Sequence, residues 1–382
     1  MRISAAWLDA PGPRAVLAAL TGGGHAAFYV GGCVRNAVLG QPVTDIDIAT
    51  DARPDRVIAL CEAAGLAVRP TGIDHGTMTV IVAGEPFEVT TFRRDVETFG
   101  RHAVVAFADR LEDDAARRDF TMNALYADAR GEVTDPVGGL ADLAAGRVRF
   151  VGDADARIAE DYLRILRFFR FTAWYGQGDP DPHALAACAR HVPGLASLSA
   201  ERVRAELMKL LAAPNPARAL KAMADAGVLQ NVLPGSDERQ FLELLLLEQG
   251  LISAPDPILR LAALGGPDPS ARLKLSKAEA RRLGRICEGA ASAMPGHELG
   301  YRLGAGDGLA AAILRTAHGG APPDHAAIAE GAAARFPVRA ADLMPDLQGE
   351  ALGKRLAALE SAWVAARFQP TRDELLSDPR FS

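Results

Sequence analysis

In Thr44-Asp45-Ile46-Asp47-Ile48, two carboxylates stand two residues apart, each followed by an isoleucine. Along an extended strand, residues i and i+2 project from the same face, so this pattern predicts a strand over 44–49 with both acids on one side and the apolar side chains in the core. Carboxylates about 7 Å apart on a strand suit Mg2+, which takes oxygen ligands from one or two acids and from substrate phosphates. The same spacing recurs in Asp153-Ala-Asp155 and Asp179-Pro-Asp181, where loop or cap roles are more natural. The neighbourhood therefore has to decide. Upstream, Ala27-Phe28-Tyr29-Val30 reads as a short buried strand running into Gly31-Gly32 and a helix over Cys33 to Leu39. Paired glycines let a phosphate approach the backbone, and the amides at the helix start together with Arg35 can hold a triphosphate. A tight strand-to-helix turn and a surface arginine are the plainer alternatives.

Three further groups carry possible chemistry. In Phe87-Glu88-Val89-Thr90 the alternation sends Glu88 and Thr90 one way, so Glu88 is either an exposed strand glutamate or a third carboxylate facing the pair. Arg117-Arg118-Asp119-Phe120-Thr121-Met122-Asn123-Ala124-Leu125 gathers two guanidinium groups, an acid, a hydroxyl and an amide in what reads as a turn and a half of helix. Its arginines could neutralise phosphates and Asn123 could hold a ribose hydroxyl, or Asp119 could cap a helix N-terminus; the two roles can coexist. In Glu160-Asp161-Tyr162-Leu163-Arg164-Ile165-Leu166-Arg167, Asp161 and Arg164 at i and i+3 would share a helical face. As an ion pair they contribute only a few tenths of a kcal/mol, roughly. As a base reader, the carboxylate accepts from an exocyclic amino group and the arginine donates to the neighbouring ring acceptor. That arrangement admits cytosine and adenine and repels the keto oxygens of uracil and guanine, with no template.

The elements that must position these residues divide the chain in two. Helix 54–64, with Pro54 in its first turn, and the strands Met78–Val82 and Phe87–Phe92, joined by Ala-Gly-Glu-Pro as a hairpin, complete a mixed α and β first part of about 150 residues. Beyond Phe150 the strand signal ends. Amphipathic segments rich in Ala, Leu and Arg follow, broken at Gly176 to Pro182, Pro214 to Pro216, Pro234-Gly235 and Gly265 to Pro269, with Ser276-Lys-Ala-Glu in the form of a capping box.

With 382 residues, two or three compact units are expected, and 49% hydrophobic with 24% charged residues is the composition of a folded protein. No signal-peptide pattern is present, and the longest uncharged run, Ala15 to Val34, holds five glycines and does not suit a membrane span. Cys33, Cys61, Cys188 and Cys287 form no metal-binding spacing, and scattered cysteines of this kind point to a reducing, cytoplasmic setting. The net charge of −6 excludes bulk electrostatic coating of nucleic acid. Residues 157–221, however, carry an excess of four positive charges, which leaves room for an RNA contact on one face.

Taken in order, Gly31-Gly32-Cys33-Val34-Arg35 with Asp45-Ile46-Asp47, Arg117 to Leu125, Asp135-Pro136-Val137-Gly138-Gly139 with Asp142-Leu143, Glu160 to Arg167 and Glu201 to Leu207 resemble the class II CCA-adding tRNA nucleotidyltransferase and bacterial poly(A) polymerase family. The resemblance covers roughly residues 28 to 235. It implies an α+β fold: a polymerase-β-like head over 1–148 with catalysis, an all-α neck over 149–213 that recognises the nucleotide, and a helical body and tail over 214–382 that bind tRNA. It implies catalytic roles for Asp45 and Asp47, with Mg2+ on both; Glu88, from its strand position, is the candidate third catalytic carboxylate. Nucleotide-binding roles fall on Gly31, Gly32, Arg35, Arg118, Asp119, Asn123, Asp161, Arg164 and Arg167. The partners implied are tRNA, CTP and ATP. A movable loop is expected at about Asp95 to Asp113, including Arg101 and His102. Asn36 stands where the family usually has aspartate. Thr71-Gly72-Ile73-Asp74-His75-Gly76-Thr77 lacks the Gly-Arg-Arg/Lys-Phe segment of the poly(A) branch, so addition or repair of CCA ends is the expected activity. Poly(A) synthesis, partial (CC- or A-only) addition and a non-catalytic RNA-binding protein on a decayed head are the alternatives.

Overall fold

A computed structural model describes residues 1–73, 76–99, 102–344 and 346–378. The fold is α+β, and the chain divides into two compact units: 1–206 with 218–232, and 207–217 with 233–382.

The first unit holds all the strands among the described residues: β1 (Ala27–Val30), β2 (Asp47–Thr50), β3 (Ala67–Gly72), β4 (Thr77–Val82), β5 (Glu85–Thr91), β6 (Arg93–Phe99), β7 (His102–Phe107), β8 (Tyr126–Ala127) and β9 (Val133–Thr134). Seven form one sheet in the order β3-β4-β5-β2-β1-β8-β9, while β6 and β7 make a separate hairpin. The segment expected as a movable loop is thus largely a hairpin, with Arg101 outside the described residues. β2 is central, antiparallel to β1 and parallel to β5. Ile48, Ala49 and Thr50 are all buried, because an interior strand covered on both faces does not need to alternate.

Helices α1 (Pro11–Gly22), α2 (Gly32–Val38), α3 (Pro54–Ala63), α4 (Leu111–Ala116) and α5 (Gly139–Ala144) accompany the sheet. After Thr134 no further strand occurs among the described residues. The chain continues as α6 (Ala154–Glu160), α7 (Leu163–Tyr175), α8 (Pro182–Arg190), α9 (Ala200–Leu211), α10 (Ala217–Asp225) and α11 (Val228–Val232). α7 is buried almost all round through Leu163, Ile165, Leu166, Phe168, Phe169 and Phe171, leaving a stripe of Arg164, Arg167 and Arg170 at three-residue spacing. Phe168 and Phe171 pack on Phe120 and Phe150 at centroid separations of 5.1 to 6.5 Å. Each such ring contributes about 1.5 to 3 kcal/mol of burial, which fixes α7 against the segments preceding it.

The second unit is helical: α12 (Glu238–Glu248), α13 (Pro257–Leu264), then Pro269–Arg272, Lys277–Ala291, Gly296–Ala317, His325–Ala333, Gly349–Ala365 and Arg372–Ser377. The four expected breaks all fall between helices, and Ser276 forms the capping box with Glu279. Gly296–Ala317 is kinked at Gly304, whose φ of 80° and ψ of 170° no helix accommodates. Tyr301, Phe336, Trp363 and Phe368 close the C-terminal core edge to face or tilted. Among the described residues no helix is long and apolar enough to cross a membrane.

Candidate active site

The end of β1 sets the site. Gly31 turns the chain from strand to helix with φ 73° and ψ −120°, a left-handed-side conformation that favours glycine, and its N–H donates to the Leu125 carbonyl at 3.0 Å. A Cβ at Gly31 would lie 3.4 Å from Nη1 of Arg118, and one at Gly32 would lie 3.7 Å from Nη2 of Arg35. The two glycines therefore run directly beneath two guanidinium groups. Arg118 is locked in place: Nε and Nη2 donate to Asp114 Oδ2 at 3.2 and 3.0 Å, Nε also to the Tyr126 hydroxyl at 3.0 Å, and Nη1 to the Asn123 carbonyl at 3.3 Å. Burial works against its charge, but Tyr126 and Asp114 outweigh it and hold the group above the ordinary arginine range. Asp114 itself is buried and also accepts from the Tyr126 hydroxyl at 2.7 Å.

The carboxylates meet where the start of β2 runs beside the middle of β5. β2 begins at Asp47, not at Thr44, so Asp45 lies in the exposed approach to the strand, where Thr44 Oγ1 donates to it at 3.0 Å. This corrects the expectation of both acids within one strand; sequence alternation marks the face but not where pairing starts. Asp47 is the register partner of Glu88 in the parallel pairing of β2 with β5. Burial pushes the Asp47 carboxyl up to about 6, with the charges of Glu88 and Asp45 adding to the rise and Arg118 opposing it. Among the described residues no set of three His, Cys, Asp or Glu side chains closes on one point. Two carboxylates with a third acid beside them are oxygen donors of the kind a hard divalent cation takes.

Arg117 to Leu125 is not a turn and a half of helix. α4 ends at Ala116, and only Thr121–Asn123 turns, as a single 3-10 turn, so Asp119 caps no helix. Its carboxylate accepts instead from Arg167 Nε at 2.7 Å, from Arg167 Nη2, from Asn123 Nδ2 at 2.9 Å and from the Phe120 amide at 2.8 Å. Burial alone would raise the Asp119 carboxyl; Arg167, Asn123 and the amide win and hold it below the usual carboxylate range. Asn123 Oδ1 in turn accepts from Arg35 Nη1 at 2.5 Å. Arg35 Nη2 donates to the Tyr175 hydroxyl at 2.7 Å, Nε and Nη2 donate to Asn36 Oδ1 at 3.1 and 2.9 Å, and the guanidinium lies 4.1 Å from the Tyr175 ring centroid. Arg35 is thus buried, and its guanidinium is tied to Asn123, Asn36 and Tyr175 at the start of α2. Asn36 holds Arg35 through Oδ1 and anchors the next turn through Nδ2 to the Pro42 carbonyl at 2.8 Å. The hydrogen-bonded chain Arg167, Asp119, Asn123, Arg35, Tyr175 joins α7 to α2, the kind of connected network that buried polar groups need.

Asp161 and Arg164 do not share a helical face. Asp161, with φ −152° and ψ 105°, is the extended residue between α6 and α7. Its Oδ1 accepts from the Leu163 amide at 3.1 Å and its Oδ2 from Arg202 Nη2 at 2.8 Å. Arg164 Nη1 donates to the Arg157 carbonyl at 2.6 Å and pairs with Glu160. Sequence reasoning gave no role to Asp114, Tyr175, Asp142 or Arg202. Asp142 is buried and accepts from Thr121 Oγ1 at 2.7 Å, Arg147 Nε at 2.7 Å and Arg149 Nε at 2.8 Å, fixing the turn that carries Asn123. The Asp114 and Arg118 spacing of four was a readable pairing signal; Tyr175 had none.

Residues 27–149 match a family described as Poly A polymerase head domain, and residues 179–239 one described as Probable RNA and SrmB- binding site of polymerase A. The chain is 33% identical over 372 residues to the CCA tRNA nucleotidyltransferase 1, mitochondrial, of Danio rerio, covering 91% of this chain and 85% of that protein. It is 43% identical over 218 residues to the CCA-adding enzyme of Geobacillus thermodenitrificans, covering 56% and 52%. Its fold superposes on the crystal structure of the Bacillus stearothermophilus CCA-adding enzyme in complex with CTP with a TM-score of 0.75 and 30% identity, over 92% of this chain and 91% of that one.

Proposed function

We propose, from the premise that the chain belongs to the CCA-adding tRNA nucleotidyltransferase family, that Asp45 and Asp47 hold Mg2+ at the edge of a triphosphate pocket roofed by Arg118. The enzyme adds CMP and AMP to the 3′ end of tRNA, taking both from CTP and ATP. In each addition the tRNA 3′ oxygen forms a bond to the α-phosphorus, the bond to the β-phosphate oxygen breaks, and pyrophosphate leaves.

The observation that carries the site assignment is Asp47 across from Glu88, with Asp45 adding to the negative charge and Arg118 in opposition. Such a cluster has an excess of negative charge that a divalent cation relieves. Bound there, Mg2+ supplies Lewis-acid stabilisation of phosphate charge and lowers the pKa of a coordinated hydroxyl. The protein's own part is positioning. Gly31 and Gly32 leave room for phosphate against the backbone. Arg118, fixed by Asp114 and Tyr126, meets the triphosphate charge with little reorganisation. Arg35 and Asn123 brace the pocket from below, and Asn123 also faces the ribose. Asp119 holds Arg167 beside the nucleotide. Asp161 accepts from the amino group of cytosine or adenine and Arg164 donates to the adjoining ring nitrogen.

On this reading the head over 1–148 catalyses, the neck over 149–213 selects the nucleotide, and the helices over 214–382 hold tRNA. The scattered cysteines, unpaired among the described residues, suit a reducing compartment, and we place the reaction in the cytoplasm. The test is to incubate the protein and Mg2+ with tRNA ending before CCA, give CTP and ATP separately and together, and sequence the products. Complete CCA ends are expected only with both nucleotides. A run of A would point to poly(A) synthesis, and a product stopping at CC, or growing only on CC ends, to partial addition.

A further inference from the structure

The two residues that read the base on the reading above are held by different partners, and the holder of Asp161 comes from far along the chain. Asp161 lies outside any helix, so helical geometry does not orient its side chain. The carboxylate plane of an aspartate turns about a broad, roughly two-fold torsion, and a free one samples orientations that point its lone pairs away from a nucleotide. Here both oxygens are occupied once: Oδ1 by the Leu163 amide, Oδ2 by Arg202 Nη2 at 2.8 Å. Each carboxylate oxygen has two lone-pair sites, so each keeps one for a base. Asp161 and Arg202 are 34% and 49% exposed, and an ion pair that open adds little to folding. Its consequence is orientation.

We infer that Arg202 is a specificity-determining positioning residue: it fixes the Asp161 carboxylate as an acceptor aimed at the nucleotide base, and discrimination against uracil and guanine depends on it. This rests on the base-reading role of Asp161. Arg202 does not touch the base itself. One helical turn on from Arg202, α9 meets α7 through the ion pair of Glu206 with Arg170 at 2.9 Å. That pair docks the same helix without touching Asp161, so it separates orientation from docking.

The experiment measures kcat/KM for CTP and UTP on tRNA lacking CCA, and melting temperature, for the wild type, Arg202→Ala, Arg202→Lys, Asp161→Ala, Glu206→Gln and the double variant Asp161→Ala with Arg202→Ala. Arg202→Ala should lower the preference for CTP over UTP by roughly ten-fold or more, the size of one charge-assisted hydrogen bond. Arg202→Lys, which keeps the charge without the planar fork, should fall between. Glu206→Gln should lower the melting temperature and keep the preference. The double variant should be no less selective than Asp161→Ala, because both act on one carboxylate. If Asp161→Ala loses the preference while Arg202→Ala keeps it, or if Glu206→Gln loses it equally, or if the two substitutions add, the inference is overturned and the base-reading role stands. If Arg202→Ala improves CTP use at unchanged selectivity, the pair merely parks Asp161 and the inference again falls. If Asp161→Ala itself stays selective, the base-reading role fails and takes the inference with it.

Discussion

Asp47 faces Glu88 across the parallel pairing of β2 with β5, acid beside acid at the edge of the site. Burial and two like charges push Asp47 up to about 6. A carboxyl raised in the fold costs stability wherever it is ionised, so the penalty is full above that value and fades as pH falls toward the ordinary aspartate range. Asp47→Asn should therefore stabilise the metal-free protein at pH 7.5 by on the order of 2 kcal/mol. Thermal unfolding with chelator present measures this, and adding Mg2+ should raise the wild-type midpoint but not that of the variant. A variant that melts earlier than the wild type under chelation would mean that the acids are not in conflict.

Asp119 carries the opposite sign. Held below the usual carboxylate range in spite of its burial, mainly by Arg167, it contributes stability that is complete above its unfolded value and is lost as pH falls through its folded one. Asp119→Asn should cost about 1.5 to 3 kcal/mol at pH 7. The gap between variant and wild type, read from urea unfolding, should close on acidification below about pH 4. A gap constant with pH would show that the carboxylate charge does not matter there.

In the second unit, Arg260 is buried and paired with Glu248 at 2.8 Å, while its Nη1 donates to the carbonyls of Leu211 and Ala213 at 2.6 Å. It closes the C-terminal end of α9, whose last carbonyls have no helical partner. Glu248→Ala leaves a buried guanidinium without its counter-ion and should destabilise by about 3 to 5 kcal/mol. Denaturant titration should show that loss, and a change below about 1 kcal/mol would mean that water reaches the pair.

Much of this was legible in the sequence, and the parts that were not share a cause. Ala27 to Val30 ending on Gly31-Gly32 announced β1 and its turn, because an apolar run stopped by glycine has few other outcomes. The hairpin of β4 and β5 and the helical second half were similarly plain. β8 and β9, two residues each, are too short to carry any periodicity. β3 was hidden because it is an exposed edge strand containing Pro70, where neither alternation nor strand propensity applies. At the site, residue types and neighbourhood pointed to the pocket, but partners did not follow from spacing. Asp161 and Arg164 fit a helical i, i+3 pair, yet no Pro or Gly marks the break at Asp161. Arg202, its partner, is 41 residues away. Arg35 read as a surface charge or phosphate ligand because nothing local shows that Asn123 and Tyr175 converge on it.

The most direct test of the account is single-turnover addition of CMP to tRNA lacking its 3′ CCA, in Mg2+, by the wild type, Asp45→Ala and Asp47→Ala. The account predicts that each substitution cuts the rate by roughly a thousand-fold while far-UV circular dichroism stays that of the folded protein. Either variant adding CMP at the wild-type rate would contradict it.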